Sequence, residues 1–391
     1  MAETLDQIFV RLKEQLVSLL PATRQPLGSA LISVAAIILV FAGLFAITTV
    51  LERKGLGRIQ NRYGPNRVGP YGILQPLADM LKTIVKEDIV PHTADKVVHF
   101  LAPLVLVAPV FLALAVVPVG RNMVAMDIDA GVLFFFAVGA ATELSVFMAG
   151  WSSRNKYSLL GAMRAIAQMI SYEVPLILSA VSVIMMVGSL STVRIVEAQA
   201  GYSAWLPDWH VFTPWGLAGF ILFMISATAE SNRSPFDLPE GESEIIAGYY
   251  LEYSGFKFAL FFLGEYIGMF AVSGLAITLF LGGWHAPLPF LAWIPSYVWF
   301  FGKLLALIAG FIWVRGTLPR LRMDQLMNFA WKFMLPIALI NVATAGVWHF
   351  MDPGFARWMV CSLLVVGPYV ALGRALFAGR KLSWRMYSYA D

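Results

Sequence analysis

Residues 226–250 read SATAESNRSPFDLPEGESEIIAGYY, an acidic segment that stands between two long apolar runs. Excess negative charge beside lipid-spanning helices is costly unless it is hydrated, protonated or matched by a cation. The segment is therefore a candidate functional site in a chain otherwise suited to the membrane. Its charged residues are Glu230, Arg233, Asp237, Glu240, Glu242 and Glu244.

The composition of the whole chain is that of a polytopic membrane protein. Of its 391 residues, 59% are hydrophobic and only 13% are charged, and the mean hydropathy is +0.73. These values fall outside the range of soluble domains. The lysines and arginines that give the chain its net charge of +4 are scattered through short loops. They do not form the basic face that a nucleic-acid site needs. We therefore expect a lipid bilayer, and no nucleic acid, among its partners.

The chain offers few ligands for a cofactor. Its single cysteine, Cys361, cannot form an intramolecular disulfide or hold an iron–sulfur cluster unaided. None of the five histidines pairs with another at helical spacing within one span, which favours structural or interfacial roles over haem ligation. Gly55-Leu56-Gly57 lacks the third glycine and the strand–helix context of a dinucleotide site. We expect no metal or cofactor to be bound by this chain alone.

Nine apolar runs are long enough to cross about 30 Å of hydrocarbon. They are residues 29–51, 98–119, 131–150, 158–188, 215–231, 256–282, 297–316, 333–350 and 357–378. Residues 1–28 place apolar side chains on one helical face and predict an interfacial segment. The sequence thus predicts an all-α polytopic fold with about nine transmembrane helices. It is divided into the N-terminal segment 1–28, an eight-helix domain at 29–350, and a further span with its tail at 351–391.

The basic residues set the expected orientation. Lysine and arginine concentrate in the connection after the first span and in alternate connections thereafter, whereas the opposite loops are nearly bare. Because positive charge stays on the cytoplasmic side, the N-terminus should lie outside and the C-terminus inside. The acidic segment should then also face the cytoplasm.

The long connection after the first span has two parts. Residues 52–70, ERKGLGRIQNRYGPNRVGP, are rich in glycine and proline, which predicts an irregular, turning backbone. From residue 73 to 86 apolar side chains recur at helical spacing, and Asp79, Lys82 and Lys86 lie off that stripe. This amphipathic helix is too short to span, so it should lie on the inner membrane surface.

Several spans contain charges that a purely structural helix would avoid. They are Glu143, Glu173, Glu230, Glu265 and Lys303. An uncompensated charge at depth costs roughly 2.5–3.5 kcal/mol, so the glutamates must be protonated, paired or hydrated. A series of carboxyl groups joined by water is what a proton path requires. For any single residue the alternative, a protonated glutamate that only packs helices, stays open.

Six stretches resemble the signature sequences of a known family. They are ERK at 52–54, QNRYGPNRVG at 60–69, LQPLADMLK at 74–82, KED at 86–88, ESNRSPFDLPEGESE at 230–244 and RLRMDQLM at 320–327. The chain is similar, over about residues 28–350, to the family of the membrane H subunit of respiratory complex I (NADH:quinone oxidoreductase). The long N-terminus and the ninth span go beyond the commonest pattern, as in some bacterial members, and the resemblance implies a multi-pass protein of a bacterial inner membrane.

The resemblance also implies a role and a set of site residues. The protein would link the membrane and peripheral arms of the complex and form part of the chamber for quinone, its substrate, with loops 52–97 and 232–255. The chamber residues implied are Arg53, Arg62, Asp79, Arg233, Phe236 and Glu240. The residues implied for the proton-coupling path are Glu143, Glu173, Glu230, Glu242, Glu244 and Glu265.

The same resemblance places the redox centres in partners. FMN and iron–sulfur clusters are expected in other subunits, with cluster-bearing peripheral subunits on the cytoplasmic loops and small membrane-arm subunits alongside. Two alternatives share parts of this pattern. One is a homologous subunit of a membrane-bound hydrogenase or another donor-linked complex. The other is a free-standing proton-coupled transporter, although no clear inverted repeat supports it.

Overall fold

The helices begin and end close to the limits of the apolar runs. The computed structural model describes residues 5–203, 206–238 and 246–378. Eight helical stretches in these ranges are long and apolar enough to cross a membrane, which confirms the predicted all-α polytopic fold. The helices are α1 (Ile8–Ser18), α2 (Gln25–Ile59), α3 (Gln75–Val85), α4 (Lys96–Ala115), α5 (Gly131–Gly139), α6 (Ala141–Ser152), α7 (Lys156–Val187), α8 (Thr192–Glu197), α9 (Pro214–Glu230), α10 (Gly255–Phe280), α11 (Ser296–Thr317), α12 (Met323–Phe329), α13 (Leu335–Phe350) and α14 (Phe355–Ala378).

Three of the predicted spans depart from a simple long helix. The fifth, α9, has 17 residues, and at about 1.5 Å per residue this is the lower limit for crossing a bilayer. The third is divided into α5 and α6, which meet at Ala140. The eighth consists of α12, a π-helical turn at Ala330–Met334, and α13. Two strands of two residues each, β1 (Tyr202–Ser203) and β2 (Leu206–Pro207), pair antiparallel before α9.

The prediction of an irregular backbone over 52–70 is wrong in its first half, because α2 continues to Ile59. A Cβ atom on Gly55 would lie 3.1 Å from Ile312 Cγ2, and one on Gly57 would lie 2.9 Å from the carbonyl oxygen of Arg62. These glycines therefore permit close packing around a helix and do not mark a turn. The amphipathic helix that follows is confirmed as α3.

Two helices form the centre of the bundle. Helix α10 is the most buried of the spans, and it packs against α2, α4, α9 and α11. Helix α7 packs against α6, α9 and α13. The extra helix α14 lies on α13, where Trp348 meets Trp358 with ring centroids 5.2 Å apart. Helix packing in a bilayer depends on such close contacts, because lipid offers no hydrophobic gain for burying one apolar helix against another.

The bundle has two distinct ends. The basic end carries the connections after α2, α3, α6, α9 and α11, and the opposite end carries those after α1, α4, α7, α8, α10 and α13. The N-terminal segment is fixed to the opposite end, since Asp6 Oδ1 accepts hydrogen bonds from the Ser296 amide at 2.7 Å and hydroxyl at 2.6 Å. Phe9 also packs edge-on against Tyr297. Helix α1 is thus an amphipathic helix at the opposite end of the bundle.

Lys303 in α11 caps the end of α10 and takes no part in the acidic site. Its Nζ donates hydrogen bonds to the carbonyl oxygens of Leu281, Gly283 and His285 at 2.7, 2.8 and 2.8 Å. The ammonium also lies 4.0 Å from the ring centroid of Trp209. The three N–H groups of an ammonium thus match three carbonyl oxygens that follow a helix end, where intrahelical donors run out. This arrangement lies at the opposite end of the bundle.

Replacing Lys303 by methionine should destabilise the protein by at least about 3 kcal/mol, because hydrogen bonds to a charged group contribute about 1.5–3 kcal/mol each and three are lost. The measurement is the thermal denaturation of the purified assembly. Lys96→Met, which removes an exposed ammonium, is the matched control and should have little effect. Equal melting temperatures for the two variants would contradict the capping role.

Candidate functional site

A buried ion cluster joins the first basic connection to the acidic segment. Glu52, near the end of α2, is 4% exposed. Its Oε1 accepts hydrogen bonds from Arg233 Nη1 at 3.1 Å and from Arg315 Nη1, and its Oε2 accepts one from the Tyr266 hydroxyl at 2.5 Å. The Arg233 guanidinium lies 3.9 Å from the centroid of the Tyr266 ring. This one carboxylate of α2 therefore binds side chains from α10, from α11 and from the segment that follows α9.

The chain reaches this cluster through a tight turn after α9. Asn232 adopts a left-handed backbone conformation, with φ of +49°. The fully buried Gln168 of α7 donates hydrogen bonds to the carbonyl oxygens of Ala229 and Phe236, both at 2.8 Å. Since these two bonds bracket the turn, they fix Arg233 in place toward α2.

The Arg233 side chain stays charged despite its burial. Burial lowers the pKa of a guanidinium, but the neighbouring Tyr266 and Glu52 outweigh that effect and raise the pKa of Arg233 above its ordinary value. Within the described residues, Arg233 Nε and Nη2 are buried without a hydrogen-bond partner. A buried cation with spare donors is suited to bind an oxygen of a ligand.

Asp79 and Arg53 form a second, more exposed pair. Arg53 Nη1 lies 2.5 Å from Asp79 Oδ2, and Gln75 Nε2 donates to Asp79 Oδ1 at 3.0 Å. Partial burial acts to raise the pKa of Asp79, but the hydrogen bonds from Arg53 and Gln75 outweigh it and leave that pKa below its ordinary value. The contribution of this ion pair to stability is therefore fully present above the ordinary aspartate pKa of about 3.9. It is lost only as the pH falls through the lowered pKa. It holds α3 against α2.

Glu230 and Glu265 line one cavity of about 70 Å³, which is walled by α4, α5, α6, α7, α9 and α10. The Tyr249 hydroxyl donates a hydrogen bond to Glu265 Oε1 at 2.9 Å. Glu230 Oε2 is buried and makes no hydrogen bond to any described residue. Because a water molecule needs about 10–15 Å³ of such volume, the cavity has room for a few waters beside the two carboxyl groups.

Two further carboxyl groups lie beyond this cavity. Glu173 of α7 and Glu143 of α6 both interact electrostatically with Glu230, and they also interact with each other. Glu265 in turn interacts electrostatically with Arg233. The four glutamates that the sequence predicted within the spans are therefore brought together, and they continue from the Glu52 cluster into the bundle.

The remaining predicted site residues lie apart from these groups. Phe236 is 5% exposed and packs on Tyr172, with ring centroids 5.3 Å apart, so it stabilises the turn that carries Arg233. Arg62 is exposed, and its Nε donates to Gln60 Oε1 at 2.8 Å. Three residues lie outside the described part of the chain, namely Glu240, Glu242 and Glu244.

The sequence interpretation missed Glu52, Tyr266 and Arg315 as site residues. Glu52 does stand directly after the first predicted span and inside the ERK stretch, and Arg315 ends the seventh span, so charge at a span end was the available signal. What the sequence could not show is that residues 181 and 263 positions away converge on one carboxylate.

The described residues do not form a metal centre. Across residues 5–203, 206–238 and 246–378, histidine, cysteine and carboxylate side chains form no group of three or more that could hold a metal ion.

Known proteins share this sequence over most of its length. The chain matches the profile of the family described as NADH dehydrogenase over residues 32–346. It is 52% identical over 292 residues to the NADH-quinone oxidoreductase H subunit of Dehalococcoides mccartyi strain CBDB1, covering 75% of this chain and 79% of that protein. The H subunits of the same enzyme in Geobacillus kaustophilus and Geobacillus thermodenitrificans are 48% identical over 303 residues and 46% identical over 314 residues. These two alignments cover 76% and 80% of this chain, and 88% and 92% of the relatives.

Removing the Glu52 carboxylate should destabilise the protein more than removing the Arg315 guanidinium. Glu52→Gln leaves the buried Arg233 without its counter-ion, a loss of about 3–5 kcal/mol for a broken buried pair. Arg315 is 34% exposed on its side chain, and Glu52 keeps two partners without it. Arg315→Gln should therefore cost no more than about 1 kcal/mol. Thermal denaturation of the purified assembly compares the two.

A double variant provides the control for this comparison. Glu52→Met with Arg233→Met replaces both buried ions by apolar side chains and should be less destabilising than Glu52→Gln alone, since only the partly exposed Arg315 then loses its carboxylate. If Arg315→Gln were as harmful as Glu52→Gln, the central place given to Glu52 would be wrong.

Proposed function

This chain belongs to the H-subunit family of NADH-quinone oxidoreductase, and we propose that it forms part of the quinone chamber and couples quinone reduction to proton transfer. It is a multi-pass membrane subunit of an enzyme complex. We infer that the electrons come from FMN and iron–sulfur clusters in partner subunits.

The observation that carries this proposal is the continuity between the Glu52 cluster and the carboxyl groups in the bundle. Arg233 bonds to Glu52 on one side and interacts electrostatically with Glu265 on the other. The two residues before it, Ser231 and Asn232, line the cavity that holds Glu230 and Glu265. A displacement of the Arg233 guanidinium, or a new charge bound beside it, would therefore alter the energy of a proton on either glutamate.

The chemistry of a quinone fits the chamber side of this arrangement. A quinone takes up two electrons and two protons to become a quinol, and negative charge on its oxygens is stabilised by hydrogen-bond donors and cations. The buried Arg233 guanidinium supplies both, since it is a cation with two nitrogens that have no hydrogen-bond partner among the described residues, and the exposed Arg62 adds a further base on the connection after α2. Asp79 holds Arg53 in place, and the apolar face of α3 suits a hydrophobic tail at the membrane surface.

The carboxyl groups then provide the coupling. Protons needed by the reduced quinone would be drawn through water beside Glu265 and Glu230, and Glu173 and Glu143 would donate the protons that replace them, favoured by the repulsion between an ionised Glu230 and its neighbouring carboxylates. Like charges that lie close together cannot all ionise, so a proton removed from one changes the cost of ionising the next. Glu240, Glu242 and Glu244 would extend this series on the quinone side.

The basic end would face the cytoplasm of a bacterial cell, with the N-terminus outside. Loops 52–97 and 232–255 would there receive the cluster-bearing peripheral subunits, and small membrane-arm subunits would lie beside the bundle. The positive-inside distribution of bases and the attachment of α1 to the opposite end support this orientation.

Replacing Glu230 or Glu173 by glutamine should leave the complex assembled but reduce quinone reductase activity on the order of 100-fold. Glutamine keeps the size and much of the hydrogen bonding of a protonated glutamate but cannot titrate, and a positioned proton-transfer group typically contributes about that factor. NADH-driven quinone reduction and proton uptake are measured in membranes that contain the assembled variants.

Glu197→Gln is the matched control for the Glu230 and Glu173 variants, because Glu197 is exposed at the opposite end of the bundle. It should keep full activity. If Glu230→Gln and Glu173→Gln also kept quinone reduction and proton uptake, these glutamates would serve only in helix packing.

Charge reversal at Arg62 and Arg67 should weaken assembly of the peripheral subunits. Both bases are exposed on the 52–70 connection, where we propose that they face acidic groups of those subunits, and reversal would replace attraction by repulsion. The measurement is the fraction of this chain that migrates within the full complex on a native gel. Arg11→Glu with Arg121→Glu makes the same charge change at the opposite end and should not alter that fraction. A normal yield of full complex in the Arg62→Glu, Arg67→Glu variant would argue against docking at this surface.

A further inference from the structure

A second cavity, of about 450 Å³, runs as a groove between the basic-end halves of α2 and α11. It shares no lining residue with the cavity that holds Glu230 and Glu265. Its walls are entirely apolar side chains and one glycine. They are Leu51, Gly55 and Ile59 on α2, and Leu305, Ile308, Ala309, Ile312 and Trp313 on α11. Because these positions recur every three or four residues, each helix presents one continuous stripe to the groove.

The groove is open at membrane depth. Leu51, Leu305 and Trp313 are 46%, 39% and 66% exposed, and all three belong to helices long and apolar enough to span. Its floor is close-packed, since a Cβ atom on Gly55 would already lie 3.1 Å from Ile312 Cγ2. The groove is therefore a shallow channel that faces outward from the bundle, and an apolar chain could lie along it.

The basic end of the groove carries positive charge that no described acid neutralises. The Arg58 guanidinium, next to the lining residue Ile59, is exposed and makes no hydrogen bond or ion pair with the residues that the structure describes. Lys54, next to Gly55, donates to the carbonyl oxygen of Tyr71, which is a neutral acceptor. The nearest acid on α2, Glu52, is already shared by two guanidinium groups.

We propose that this groove binds an anionic phospholipid, with an acyl chain along the α2–α11 stripe and the phosphate against Arg58 and Lys54. An apolar channel that ends in unneutralised bases on the cytoplasmic side matches both parts of such a lipid. A quinone carries no charge to match the bases, and a partner helix would have to supply an acid at the membrane surface. The inference does not rest on the proposed role in quinone reduction.

A bound lipid would also shield the Glu52 cluster. Arg315 follows the lining residue Ile312 by one helical turn, and its side chain is the most exposed member of the Arg233–Glu52–Arg315 ion pairs. Covering this side of α11 would keep water from Arg315 and Glu52 and so strengthen their attraction. Anionic lipid would thus stabilise the complex at the point where α2 and α11 meet.

The test uses the assembled complex in nanodiscs of phosphatidylcholine that contain a minor fraction of photoreactive phosphatidylglycerol, with the reactive group near the middle of an acyl chain. Label should appear in peptides 51–59 and 305–313. Ala309→Trp fills the groove from an exposed position and should abolish this label. Gly302→Leu is the matched control, because it adds bulk to the same helix where nothing lies within 4 Å, and it should label like the native complex.

Arg58→Gln separates the headgroup from the chain. A basic residue near the surface contributes about 1 kcal/mol to binding an anionic lipid, so its removal should reduce the preference for phosphatidylglycerol over an equivalent phosphatidylcholine probe about fivefold. Equal labelling of the native complex by the two probes would overturn the proposal. Loss of label in excess quinone would assign the groove to quinone instead. Cross-links to another subunit from a photoreactive amino acid at position 305 would show that a partner helix covers the groove.

Discussion

The structure of the basic end of this protein depends on the ion pairs and the hydrogen bond that the Glu52 carboxylate forms with Arg233, Arg315 and Tyr266. A carboxylate that is 4% exposed would be very costly in a membrane helix if it stood alone. Here two guanidinium groups and a tyrosine hydroxyl bind its two oxygens, so the protein supplies the hydrogen bonds that water would otherwise make. The cost is offset only while α2, α10, α11 and the turn after α9 keep their present positions.

That constraint links the surface of the bundle to its interior. Arg233 is held by Glu52, by the Tyr266 ring and by the turn that Gln168 fixes to α7, so it cannot move without disturbing the wall of the glutamate cavity. Buried ion pairs contribute little net stability compared with apolar packing, and their use here is better explained by positioning. A rigid cation beside a cavity with room for a few waters would, under the proposed function, allow a charge change at the quinone site to reach Glu265 and Glu230.

Much of this architecture was predictable from the sequence because it follows from one-dimensional patterns. Long apolar runs specified the spans, and the helical spacing of apolar residues specified α3. Gly55 and Gly57 were misread, since a glycine that permits close helix packing and a glycine that permits a turn look the same in a sequence. Glu143, Glu173, Glu230 and Glu265 were identified because acids are rare in spans, whereas the partners of Glu52 come from distant parts of the chain and needed the fold.

The central claim is that the site around Arg233 and α3, at the basic end, is where quinone binds. A photoreactive quinone that retains substrate activity tests this most directly when it is illuminated in the assembled complex and the labelled peptides of this chain are sequenced. The account predicts label within residues 53–86 or 232–250. The Glu52 cluster holds Arg233 against α2, and the Arg53–Asp79 pair holds α3 there. Label confined to residues 283–296, which lie at the opposite end of the bundle beside the Lys303 cap, would contradict it.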